Sequence, residues 1–236
     1  MRILFLILLI TINHICFPQK TKDNTNTLQF FDYVTNAGVI CFFIPDAGKS
    51  NENIIGSPYL NDDYKKGYMI VDDTLKISGL EFRYNIYKEE MEIHYNNEYK
   101  AIYKPERVNY VVFHNDTFIY SDYIHNDEMK KGYLKVITQG KLSLLKKYMC
   151  VLLEPNYNNA MSAGIKNYRY SKKEYYVLKK DNNKEKAITF KPGKKQLYKL
   201  LPEKKEQLKS YIKKNKIHIK QESGLINLVE YYNTLI

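Results

Sequence analysis

Tryptophan is absent from this 236-residue chain, and arginine is nearly so: Arg2, Arg83, Arg107 and Arg169 stand against 33 lysines. The first absence removes the largest ring for stacking on sugars. The second removes the planar fork that holds phosphates and guanine edges by paired hydrogen bonds. The three cysteines, Cys16, Cys41 and Cys150, are too few for a small disulfide scaffold, and with no histidine at metal spacing they make no zinc site. Ten glycines and seven prolines exclude collagen-like and low-complexity chains. No GxSxG elbow and no HExxH pair occurs. VICFFIPDAGKS ends like a phosphate-binding loop, but Phe43 stands where that loop needs its first glycine.

What is present is a folded composition, 44% hydrophobic and 14% aromatic, with a mean hydropathy of -0.51 and a net charge of +11. The charge is uneven: residues 20–165 carry a net of -2 and residues 166–222 a net of +13. Lysine supplies this charge without arginine's geometry, and lysine, asparagine, tyrosine and isoleucine share A/T-rich codons. The charge alone therefore does not argue for a nucleic-acid partner.

MRILFLILLITINHICFPQK has the order of an export leader: Arg2, an apolar run from Ile3 to Ile12, then a mixed stretch. The run is too short for a membrane span, which needs roughly 20 apolar residues. Cleavage is expected between Cys16 and Gln19. Ile15 stands where a lipid-attachment signal needs a small residue. No transmembrane segment follows. Cys41 and Cys150 then lie where disulfides are permitted, each in an apolar run, so both a bridge and two buried thiols stay open.

The expected organisation is a signal peptide over 1–19, a β-rich body over 20–193 and a helical segment over 194–236 packed on that body. TKDNTNT, Thr21 to Thr27, reads as a polar start of the mature chain. In LEFRYNIY, Leu80, Phe82, Tyr84 and Ile86 alternate with Glu81, Arg83, Asn85 and Tyr87, and in MEIHY, Met91, Ile93 and Tyr95 alternate with Glu92 and His94. This period of two predicts half-buried strands, joined by a polar link at Lys88 to Glu90. EYKAIY, RVNYVVF, TFIY, GYLKVIT, EYYVLKK and KAITFK predict further strands, the last two joined through Asp181, Asn182 and Asn183. The fold class is α+β: a mostly antiparallel sheet or partial barrel followed by a C-terminal helical pair.

After Pro192 and Gly193 the period lengthens. KKQLYKLL predicts a short helix ended or restarted by Pro202. Leu208, Tyr211 and Ile212 form the apolar stripe of a helix that stops at Asn215, and Leu225, Leu228, Val229 and Tyr232 the stripe of another capped by Ser223. The basic stretch KEQLKSYIKKNKIHIK thus reads as an amphipathic helix with its lysines in solvent.

His94, His114, His125 and His218 read as surface or strand-face residues. Asp62–Asp63, Asp72–Asp73 and the group Glu89, Glu90 and Glu92 read as turn solvation or as carboxylates for acid–base work. Tyrosines recur at 84, 87, 95, 99, 103 and 110, filling the core or offering rings to a partner. The candidate binding surface is Tyr87, Tyr99 and Tyr103 with Lys205, Lys209 and Lys213; no catalytic, cofactor-binding or metal residue is assigned.

Through GSPYLNDDY, LEFRYNIYKEEME, GYLKVITQGKLSLLKKY, LPEKKEQLKSYIKKNK and LVEYYN the chain resembles a group of uncharacterised, signal-peptide-bearing envelope proteins of Gram-negative bacteria. The resemblance implies export and a strand-rich body with a helical end, and it implies no activity, ligand or catalytic residue. The function expected is that of a non-enzymatic exported protein, periplasmic, outer-membrane-associated or secreted, binding an envelope protein, an anionic glycan or a lipid surface. The alternative is an exported hydrolase of glycan or peptide using Asp62, Asp72 and Glu90. No cofactor is implied, and nucleic acid becomes a partner only if the leader is not an export signal.

Overall fold

The computed structural model describes residues 41–43, 54–155, 167–181 and 186–235. The leader, TKDNTNT, the phosphate-loop-like stretch beyond Phe43, and Asn182 and Asn183 lie outside the described residues.

Eleven strands form one sheet among the described residues: β1 Cys41–Phe43, β2 Lys65–Val71, β3 Leu75–Asn85, β4 Glu90–Tyr95, β5 Glu98–Ile102, β6 Val108–Phe113, β7 Asp116–His125, β8 Glu128–Thr138, β9 Leu142–Leu153, β10 Arg169–Lys180 and β11 Ala187–Phe190. Their spatial order is β1-β5-β4-β3-β2-β6-β7-β11-β10-β9-β8. All pairings between these strands are antiparallel except β11 with β7. Since β8 also pairs with β7, the last five strands curl into a partial ring.

Asparagine, aspartate and histidine make the hairpins. Asn96–Asn97, His114–Asn115 and Asn126–Asp127 all have φ between 50° and 65° at both positions, which a two-residue turn of matching twist requires. These polar side chains tolerate the left-handed region better than β-branched residues do.

Among the described residues alternation sorts the side chains into three clusters. Ile77, Leu80, Phe82, Tyr84 and Ile86 of the β3 region meet Met91, Ile93, Val111, Phe118 and Tyr133 in the main core. Tyr123, Leu134, Leu145, Val177 and Ala187 fill one face of the ring strands. Leu142, Leu144, Leu178 and Phe190 point to the other face and receive the helices. Burying each large apolar side chain contributes about 1.5–3 kcal/mol before chain entropy is charged.

The helices are α1 Lys194–Leu200, α2 Lys205–Lys214 and α3 Glu222–Thr234, with a 3-10 turn at Pro202–Lys204 between the first two. Among the described residues three helices therefore follow the sheet. Leu208 and Ile212 of α2 and Leu225, Leu228, Val229 and Tyr232 of α3 are buried as their spacing predicts. Tyr211 is half-buried, its ring lying flat on that of Tyr231 at 3.8 Å and 4°. Asn215 is the C-cap of α2. The start of α3 differs from expectation: Gln221 holds the extended N-cap backbone, so Ser223 lies inside the helix. Asn233 ties α3 to the sheet by accepting from the Leu142 amide at 2.8 Å and donating to its carbonyl at 2.9 Å.

Two strands exceed what alternation marked out. β9 runs for 12 residues, and Lys146 and Lys147 in its middle hide it from a hydropathy reading. β2 is broken by a register shift between Gly67 and Tyr68, where a Cβ on Gly67 would lie 2.1 Å from the Val112 carbonyl oxygen. Cys41 is buried and Cys150 half-buried, and both are free thiols.

Candidate functional site

Glu89 stands at the turn between β3 and β4 with φ of 59°, and its carboxylate meets the ring strands β8 and β9. Its Oε1 accepts from the Tyr84 hydroxyl at 2.6 Å and from the Tyr133 amide at 2.7 Å, while its Oε2 accepts from Lys147 Nζ at 2.5 Å. Lys147 is 1% exposed and also donates to the Tyr84 hydroxyl at 3.1 Å and the Tyr133 carbonyl at 3.4 Å. Gly132 makes the room, since a Cβ there would lie 2.7 Å from Glu89 Oε1. Burial lowers the Lys147 pKa, and the Glu89 charge opposes that shift. Burial and the same carboxylate raise the Tyr84 pKa well above its ordinary value. The cluster is a neutralised joint between the two halves of the sheet.

Beside this joint opens a cleft of about 600 Å³, walled by Glu89, Glu90, Tyr103, Glu106, Tyr120, Asp122, Lys131 and Tyr133. Glu90 and Glu106 make no ion pair with a described residue, whereas Asp122 is 3.6 Å from Lys131. Burial raises the Glu90 carboxyl, with Lys88 opposing and Glu92 adding. Tyr120 is raised by burial and then by Glu89, Glu106 and Asp122, which marks the cleft as electronegative.

A second cleft, of about 400 Å³, opens at the end of β7 around His125, Tyr175, Lys191, Gln196 and Lys199. His125 is 7% exposed, and its ring meets Tyr175 edge-on at 4.6 Å. The Thr189 hydroxyl donates to the Ile124 carbonyl at 3.1 Å, so at 3.0 Å it accepts from His125 Nδ1. That assigns the proton of the neutral ring to Nδ1 and leaves Nε2 an acceptor. Burial and Lys130 lower the His125 pKa, with Glu128 opposing.

On the opposite face of β3 and β4 the expectation of solvated polar residues fails. Arg83, Asn85 and Glu92 are buried beneath the segment that contains Tyr59 and Tyr64. Arg83 Nη2 lies 2.7 Å from Glu92 Oε2, Nη1 donates to the Asp62 carbonyl at 3.1 Å, and the guanidinium sits 3.6 Å from the centre of the Tyr59 ring. Asn85 completes the carboxylate at 3.2 Å. Period-two alternation states which face a side chain takes, and it does not state what covers that face.

Tyr87 is exposed and packs edge-on against Tyr170 at 5.3 Å. Tyr99 is half-buried, stacked on His94 at 4.8 Å. Tyr103 is 61% exposed at the mouth of the acidic cleft. Lys205, Lys209 and Lys213 are exposed on successive turns of α2, and Lys209 pairs with Glu206 at 2.8 Å. Glu90 lines the acidic cleft; Asp62 and Asp72 do not. Asp72 instead pairs with Arg107, and Asp62 accepts from Ser57. Lys147 and Tyr133 carry no local sequence signal, because their partners come from strands far away in the chain. Among the described residues no three His, Cys, Asp or Glu side chains converge as metal ligands, and no helix is long and apolar enough to cross a membrane.

Comparison with protein-family models, with curated proteins and with solved structures finds no match to this chain.

Proposed function

We propose that the chain is a non-enzymatic exported envelope protein that docks on an anionic component of the envelope through the lysine face of α2. The observation that carries this reading is how α2 is seated. Leu208 is fully buried and Ile212 nearly so, and they fix the rotation of the helix so that Lys205, Lys209 and Lys213 all stand in solvent one turn apart. Lys205 and Lys213 make no ion pair with a described residue. On α1, Lys194, Lys195 and Lys199 are exposed as well.

Lysine ammonium groups on flexible stems suit a surface of many phosphates or carboxylates rather than one oriented group. Each lysine held near such a surface contributes about 1 kcal/mol. Three give weak binding that salt suppresses. Export rests on the leader, and it is what would bring this face to an envelope surface.

The test is sedimentation of the purified protein with vesicles of phosphatidylglycerol, of phosphatidylcholine, and with a carboxylated polysaccharide. The expected result is salt-sensitive binding to an anionic partner that is lost on Lys205→Ala, Lys209→Ala and Lys213→Ala together. Binding to phosphatidylcholine alone, or no loss in the triple variant, would overturn the reading. The two anionic arms separate a lipid partner from a glycan.

A further inference from the structure

His125 ends β7 with only 7% of its surface exposed, and one of its two ring nitrogens is left without work in the fold. Nδ1 gives its proton to the Thr189 hydroxyl at 3.0 Å, and that hydroxyl is itself committed to the Ile124 carbonyl. Nε2 makes no hydrogen bond with a described residue, and unlike the sealed Tyr133 hydroxyl it remains open to solvent. The Tyr175 ring closes one side of the imidazole edge-on at 4.6 Å, and the open side is the cleft of about 400 Å³ that His125 lines. Burial and then Lys130 hold the ring neutral, against Glu128. A neutral imidazole is thus clamped with a single lone pair presented to a cavity, and the group that satisfies it is a donor, a hydroxyl or an N–H.

The other walls say what else that partner carries. Lys191, just past β11, and Lys199, in the last turn of α1, are exposed at the cleft, and neither makes an ion pair with a described residue. Gln196 of α1 is fixed by its Oε1, which accepts from the Lys191 amide at 2.8 Å, so its own N–H groups are left to donate. Asp127 of the β7–β8 turn adds one acceptor, and Phe190 adds apolar surface. The charged walls are therefore two lysines against one aspartate, a balance that favours an anion. A bare carboxylate brings only acceptors and leaves His125 Nε2 and Asp127 unmet, while a neutral sugar brings hydroxyls and leaves the lysines unmet. A ligand with both satisfies every wall, and the cleft of about 400 Å³ lies in the range of about 300–1,000 Å³ usual for small-ligand sites.

We infer that this cleft binds a sugar unit bearing an acid group, with a sugar hydroxyl donating to His125 Nε2 and the acid group held by Lys191 and Lys199. A carboxylate and a phosphate serve these lysines alike, because an ammonium is a point charge without arginine's fork. The site is distinct from the lysine face of α2 and does not depend on it.

The test is calorimetric titration of the full-length protein with glucuronate and with glucose bearing an anomeric phosphate, beside glucose and acetate at the same ionic strength. Nitrogen NMR follows the His125 Nε2 resonance in parallel. Saturable binding of an acid sugar is expected, with glucose and acetate each weaker by about 10-fold or more and with Nε2 shifted as it accepts a hydrogen bond. The tighter of the two acid sugars names the acid group. Lys199→Gln should lower affinity about 10-fold, as a charged partner is lost, and should leave the melting temperature in place because Lys199 is exposed. His125→Phe should lower affinity about 2- to 10-fold, the worth of one hydrogen bond; if that variant does not fold, the Nε2 shift in the parent carries the same test. The triple α2 lysine variant should bind as the parent does, so a failure here and a failure of the docking reading are told apart. No saturable binding of either acid sugar, equal binding of glucose or acetate, an unmoved Nε2, parental affinity in Lys199→Gln, or loss of binding in the triple variant would overturn the assignment.

Discussion

The ammonium of Lys147, in the middle of β9, lies 2.5 Å from Oε2 of Glu89, a turn residue 58 positions earlier in the chain. Strand β8 carries Tyr133, whose amide and carbonyl both bond into this pair. One ion pair therefore fastens the β3–β4 hairpin to the ring strands. Removing one partner of a buried pair leaves the other charge unmet, which costs about 3–5 kcal/mol. Glu89→Gln, which strands the buried Lys147 ammonium, should lower stability by roughly that amount, and Lys147→Met by less, because Glu89 is 29% exposed and keeps the Tyr84 hydroxyl and the Tyr133 amide. The double variant should lose less than the sum, with a coupling of at least about 1 kcal/mol. Urea unfolding of the four proteins measures it, and strict additivity would show that the pair is not a joint.

Gly132 gives the same joint its space. Alanine there would place a Cβ 2.7 Å from Glu89 Oε1 and 2.9 Å from Lys147 Nζ. Gly132→Ala should destabilise by about 1–3 kcal/mol as the pair is pushed apart. In a Lys147→Met background, where nothing is left to separate, the penalty should shrink. Thermal melts of the two backgrounds decide, and an equal penalty in both would place the strain elsewhere.

Arg83 holds the strap over the outer face of β3 and β4. It bonds Glu92 and the Asp62 carbonyl and lies between the Tyr59 and Tyr64 rings, 3.6 Å and 4.3 Å from their centres. Lysine keeps the charge but loses the fork and the flat stacking face. Arg83→Lys should cost about 1.5–3 kcal/mol. The loss should appear first where the strap meets the sheet, at the Leu60 amide bonded to Tyr84 and the Ile86 amide bonded to Pro58. Faster hydrogen exchange at both is the expected result, and unchanged protection there would remove the strap from the account.

Alkali should unfold this protein early. Burial raises the pKa of Tyr64, Tyr84, Tyr123 and Tyr133, pushes Tyr148 up to about 12, and pushes Cys41 up to about 12 from 9.0. A group raised in the folded state gives stability that is complete below its unfolded pKa and is lost as pH climbs toward the folded one. The loss therefore begins at about 9 for the thiol and 10 for the tyrosines. Lys147 acts the other way, since its pKa is lowered on folding and its penalty eases as pH rises. It is one group against six. The melting temperature should be level from pH 7 to about 9 and fall steeply beyond 10; a melting temperature that rises over that range would contradict the burial of these rings.

The sequence made the hydrophobic half of this fold legible and left the polar half hidden. Leu80, Phe82, Tyr84 and Ile86 were readable as one buried face because a strand alternates sides, and Leu225, Leu228, Val229 and Tyr232 because a helix turns every 3.6 residues. Those signals are local. Arg83, Glu92, Lys147 and Glu89 are buried because charges from distant strands meet, and an isolated lysine or glutamate in a strand looks solvated. The acidic cleft depends on Glu90, Glu106, Asp122 and Tyr133 coming together from four parts of the chain, which follows only from strand order. The lysines of α2 are the reverse case: the apolar stripe that seats the helix also dictates which side its charges face.

The most direct measurement is co-sedimentation of the purified protein with phosphatidylglycerol vesicles and with a carboxylated polysaccharide across a salt series, beside the variant in which Lys205, Lys209 and Lys213 are all alanine. Binding to one of the two anionic partners should weaken steadily as salt rises and be largely lost in the variant. Binding that ignores salt, or that the variant retains in full, would contradict it.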